Sequence, residues 1–182
     1  MALADVLLTV ALLQTGCTGP RGGASMREPM LTQLEALDSE EFWMPTYIES
    51  GWNTVHDVLV ESEQIRWLAA HPDVSVPEII ERIHTRLIHP KVLVAYFVVL
   101  EQAGDRRAVN VLSEYVENIE DGAANSVESS WHPFIYAVKA LDRLTSLGLF
   151  DGRSLPGASD FFYRRKEIAK QARDKLSRRP DK

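Results

Sequence analysis

The chain has 182 residues, 45% hydrophobic and 25% charged, a one-domain length with a composition that excludes a wholly disordered chain. Its formal net charge of −6 argues against a general nucleic-acid binder, which needs a basic face. A single cysteine, Cys17, excludes an internal disulfide.

The first feature in chain order is an apolar run, Val6 to Leu13. It is too short to span a bilayer, which takes about 20 residues, and long enough for the core of a secretory signal. The segment that follows, Leu13-Gln14-Thr15-Gly16-Cys17, resembles the bacterial lipoprotein signal. In that family small residues precede a cysteine that becomes N-terminal on cleavage and is then acylated. Thr15 and Gly16 hold the small positions, Gln14 stands where leucine is usual, and Met1 to Asp5 carry no lysine or arginine. The resemblance implies a signal peptide over residues 1–16 and lipid attachment at Cys17. It also implies membrane association through that lipid in a bacterial envelope, facing the periplasm in a Gram-negative cell. Residues 17–29 then read as a flexible tether. The alternative is a cytosolic protein with a helical N-terminus and an incidental Cys17.

From there the pattern is helix after helix. Leu31, Leu34 and Leu37 fall at helical spacing over Met30–Asp38, and Val55, Leu59, Ile65 and Leu68 continue one pattern from Asn53 to Ala70. Ser75-Val76-Pro77-Glu78 has the form of a capping box, with Ile79, Ile80, Ile83 and Leu87 as the expected buried stripe. Lys91 to Leu100 is rich in β-branched and aromatic residues, but no second strand offers a partner and Gly104 provides a helix stop. It therefore reads as a helix buried on most sides. Asp105 caps the next helix, with Ala108, Leu112, Tyr115 and Ile119 inward. Ser130 to Gly148 carries Phe134, Val138, Leu141 and Leu144, and a last helix runs from about Ser159 to Leu176. The fold class is all-α, a helical domain over 30–176 with a basic frayed tail over 177–182.

A His-Pro pair recurs at expected helix starts, His71-Pro72, His89-Pro90 and His132-Pro133, where proline pre-sets the first-turn backbone. Recurring helical hairpins of this kind suggest stacked repeats. His89 to Asn118, with Ala-Gly-Asp-Arg-Arg-Ala-Val over Ala103–Val109, resembles a HEAT-like repeat of the bacterial sort. Gly104, Asp105, Arg107, Ala108 and Val109 match that family's turn, Arg106 replaces its proline, and Leu93 stands where an arginine is common. The resemblance implies a short α-solenoid of antiparallel hairpins, HEAT- or armadillo-like, that binds a protein partner, with Gly104, Asp105 and Arg107 as the repeat turn.

Catalytic spacings are scarce. Glu81-Arg82-Ile83-His84 has the Glu-x-x-His spacing of di-iron bundles, which need a second such motif and two more glutamates. No zinc spacing, nucleophile elbow or phosphate-binding glycine loop occurs, so the reading is non-enzymatic, with no cofactor, no metal and no small-molecule substrate. A helical enzyme using Glu81 and His84 stands as a weaker alternative. The four tryptophans, Trp43, Trp52, Trp67 and Trp131, suit either the core or a binding groove.

Charge is distributed unevenly. Glu28 to Ile65 holds nine acidic residues and no lysine or arginine, whereas Arg164 to Lys182 is net +6, leaving −12 elsewhere. Arg164, Arg165, Lys170, Arg173 and Lys175 would be the contacts to a polyanion such as lipid head groups or nucleic acid. A cytosolic helical-repeat protein binding nucleic acid through this helix is the rival function. A solvated face of a capping helix explains the same residues.

Overall fold

The computed structural model describes residues 22–39, 42, 52–120, 132–150 and 157–178, and all regular structure among them is helical. The helices are α1 (Gly22–Asp38), α2 (Trp52–Glu61), α3 (Glu63–Ala70), α4 (Pro72–Thr85) and α5 (Pro90–Ala103). After them come α6 (Ala108–Asn118), α7 (Pro133–Thr145), α8 (Ala158–Tyr163) and α9 (Arg165–Arg178).

Several boundaries differ from the sequence reading, each for a local reason. Helix α1 begins at Gly22, so residues 22–29 are helical where a tether was expected. Its buried line is Met30, Leu34 and Leu37. The single helix expected over Asn53–Ala70 is broken at Ser62, whose hydroxyl accepts a bond from the Ile65 N–H and starts α3 afresh. Helix α4 starts at Pro72, not at the Ser75 box. Ser75 is fully buried and its hydroxyl donates to the carbonyls of Leu68 (2.7 Å) and His71 (2.9 Å), which stitches α3 to α4. The buried line of α4 is Val76, Ile79 and Arg82; Leu87 lies beyond the helix end and is fully exposed.

The expected helix over Lys91 to Leu100 holds, whereas the helix expected to be capped by Asp105 has Arg107 at its N-cap position. α5 buries Val92 and every residue from Val94 to Glu101, and it ends on Gly104 at φ 68°, a left-handed position that suits glycine. Two His-Pro pairs cap through the ring: the Nδ1 of His89 accepts from the Lys91 N–H and that of His132 from the Phe134 N–H. His71 works differently, stacking on Trp67 at 4.2 Å and donating from Nδ1 to the Trp67 carbonyl. The last expected helix is two, α8 and α9, joined at Arg164.

Two rows of contacting helices can be traced, and they pack closely on each other where α6 meets α7. One row is α3, α5 and α7, with α2 laid against α3 and α5; the other is α4, α6 and α9. α1 covers α3 and α4, and α5 sits at the centre of the apolar core.

Candidate functional site

The expected repeat turn is assembled as a unit. The Asp105 carboxylate accepts from the Arg107 N–H (2.9 Å) and from its Nε (2.8 Å), closing the turn that leads into α6. The guanidinium then reaches the Pro72 carbonyl at 3.2 Å, which joins this turn to the one before α4. Arg106, where the repeat family carries proline, reaches the Lys175 and Leu176 carbonyls at the end of α9. The Arg107 bonds hold the Asp105 carboxyl below its ordinary value, outweighing its partial burial. Such a depressed carboxylate stabilises the fold above the unfolded-state pKa and loses that contribution as pH falls toward the folded value. Asp105→Asn is therefore expected to cost no more than about 1 kcal/mol at neutral pH. The gap to the unaltered chain should close in urea melts below the carboxylate range, about pH 4.

Of the five basic residues of the polyanion reading, Arg164, Lys170 and Lys175 are exposed, Arg173 is half-buried and Arg165 is buried. Arg165 is 7% exposed, lies 4.3 Å over the Phe162 ring and donates to the Phe162 carbonyl. Arg173 pairs with Glu117 at 2.8 Å, Lys170 with Asp174 at 3.2 Å, and Arg164 with Glu167 at 3.7 Å. Lys175 donates to the Ser146 carbonyl. These contacts tie the end of α9 to α6 and α7. Cys17, Trp43 and Trp131 lie outside the described residues.

Two charged clusters escaped the sequence reading. In the first, the His56 Nε2 of α2 stands 2.7 Å from the Glu101 Oε2 of α5, with the residues 6% and 2% exposed. The other ring nitrogen lies 3.5 Å from Asp57 Oδ1, the Tyr136 ring of α7 stacks alongside at 6.5 Å, and Arg143 is 3.7 Å from the second Glu101 oxygen. Burial pulls the nearby Lys139 ammonium below its ordinary value, against the opposing pull of Glu101 and Asp57. In the second cluster, Arg82 of α4, 4% exposed, donates to Glu78 (3.0 Å), Asp38 (3.3 Å) and the Tyr96 hydroxyl (3.2 Å). Burial opposes the guanidinium charge, the bonds to Glu78 and Tyr96 outweigh it, and the pKa is raised. Both clusters bridge helices, and in the first the second ring nitrogen of His56, Nδ1, is buried with no hydrogen-bond partner.

A groove of about 330 Å³ opens between α4 and α6. Ile83, Val111 and Ile119 give it apolar walls, and the Tyr115 ring, set edge-on to Phe97 at 4.9 Å, forms a rigid side. The His84 of the Glu-x-x-His motif is here, but its acidic neighbour is Glu114 across the groove at 3.7 Å. Among the described residues no three His, Cys, Asp or Glu side chains converge as a metal site, and no helix is long and apolar enough to cross a membrane. No protein-family model, curated protein or solved structure matches the chain.

Proposed function

We propose that the chain is a short HEAT-like α-solenoid, held at a bacterial envelope by lipid on Cys17, that serves as a non-enzymatic protein-binding module. The observation that carries the repeat reading is the order of neighbours: α3, α5 and α7 follow one another in one row, and α4, α6 and α9 in the other. Stacked repeats are built this way, each unit touching the next and no unit covering its own apolar face alone. The Arg107 bond to the Pro72 carbonyl adds support, because it links successive row-to-row turns. The His-Pro pairs do not mark equivalent places, since His89 and His132 start helices of the first row and His71 one of the second. They serve as helix-start devices.

The lipid part rests on the residues around Cys17 and is tested by labelling with radioactive palmitate. The expected result is label on the chain in a bacterial host that processes lipoproteins, and its loss in Cys17→Ser. An unlabelled chain would overturn the anchor. The binding part is tested by crosslinking the expressed chain in such cells: a stoichiometric protein partner is expected, and none above background would sink the module.

A further inference from the structure

We infer that two of the three His-Pro pairs form a proton-responsive catch, in which protonation of the His89 and His132 rings releases the first turns of the neighbouring helices α5 and α7. Proline at the first helical position has no N–H, so the first free donors of these helices are the Lys91 and Phe134 N–H groups. Each is taken by the Nδ1 of the histidine before the proline, at 3.3 Å and 3.2 Å. A ring nitrogen accepts only while it is unprotonated, so both caps require the neutral ring with its proton on Nε2. Protonation acts twice. It turns the acceptor into a donor facing another donor, and it sets a positive charge at the positive end of the helix dipole. A serine or asparagine cap would not respond to pH in this range; a histidine cap does.

The third pair is built the other way. His71 closes the C-terminal end of α3, and its Nδ1 donates to the Trp67 carbonyl, a bond that the protonated ring also makes. Its protonation therefore costs the corner between α3 and α4 no bond. On the helices packed against α5 and α7, Asp38 and Glu78 pair with Arg82, Glu101 with His56 and Glu117 with Arg173. Among the described residues no ion pair reaches His89 or His132, and burial alone holds the His132 ring below its ordinary value. A ring depressed in this way supports the fold fully above about pH 6.5 and loses that support as pH falls through the imidazole range. His132 is half-buried and His89 exposed, so α7 responds more strongly than α5. The first turn of α7 carries Phe134, fully buried and edge-on to Phe162 of α8 at 5.9 Å. Release of that turn is thereby passed to α8.

The test is amide exchange of the full chain, followed by NMR at about pH 7.5 and about pH 5.5 and expressed as protection relative to the unstructured rate at each pH. Protection at Phe134 is expected to fall about five- to tenfold between the two, and that at Lys91 by less. Val74 and Ser75, whose N–H groups bond the His71 carbonyl at the start of α4, should keep theirs. His132→Asn and His89→Asn each retain a capping acceptor that does not titrate, so each should abolish the fall at its own helix and leave the other unchanged. A proton on the Nδ1 of either ring at the higher pH, read from its imidazole nitrogen shifts, would overturn the catch. So would equal protection at both pH values. A fall that persists in the double asparagine variant would belong to another histidine, His56 or His84, and would overturn it too.

Discussion

Glu101→Ala is expected to lower the unfolding free energy by about 3–5 kcal/mol, a large part of the stability of a domain this size. The reason is asymmetry. Glu101 is 2% exposed and stands 2.7 Å from the ring of His56, itself 6% exposed, so its removal leaves a buried imidazole without its hydrogen-bond partner. Removing both partners is different: His56→Leu with Glu101→Leu fills similar space with apolar atoms and should cost far less than the single change. Urea unfolding followed by circular dichroism measures both. A loss below about 1 kcal/mol for Glu101→Ala would mean that the pair is solvated and fastens nothing.

Arg82→Ala is the second large effect, about 3 kcal/mol. This side chain holds Glu78 within α4, Asp38 at the end of α1 and the Tyr96 hydroxyl of α5. Its loss strands the buried Tyr96 hydroxyl with a 3.4 Å bond to Asp38 and frees the C-terminal end of α1. The expected signature is local as well as global: amide exchange in α1 should quicken more than in α7. Arg82→Met restores most of the stem packing without the bonds, and it should recover part of the stability but not the α1 protection. Unchanged α1 exchange in both variants would show that Met30, Leu34 and Leu37 alone hold that helix.

The apolar periodicity made most of this architecture legible, because burial of a helix face is written in residue type. The ambiguous Lys91–Leu100 run resolved as helix on the absence of a pairing strand, and α5 is the most enclosed helix of the structure. Boundaries were less legible where one side chain has two uses. Ser75 precedes a proline and a glutamate, as a capping serine does, yet Pro72 had already begun the helix and Ser75 bonds backward to Leu68. Arg165 reads as a surface charge and Arg82 carries no reading of its own; both are buried, because each completes an apolar line at helical spacing. A signal for Arg82 was present in the spacing Val76, Ile79, Arg82, which places the arginine on the inward face. Nothing local could announce the His56–Glu101 pair, whose members are 45 positions apart. Such contacts are set by row stacking and not by any short motif.

Three residues within six positions of α5 face three different parts of the molecule. Tyr96 meets Arg82 and the end of α1, Phe97 meets the Tyr115 wall of the groove, and Glu101 meets His56 and Arg143. A rigid helix cannot shift one of these without shifting the others. A displacement of α5 by so little as a fraction of a turn would therefore disturb the groove wall and both charge clusters together.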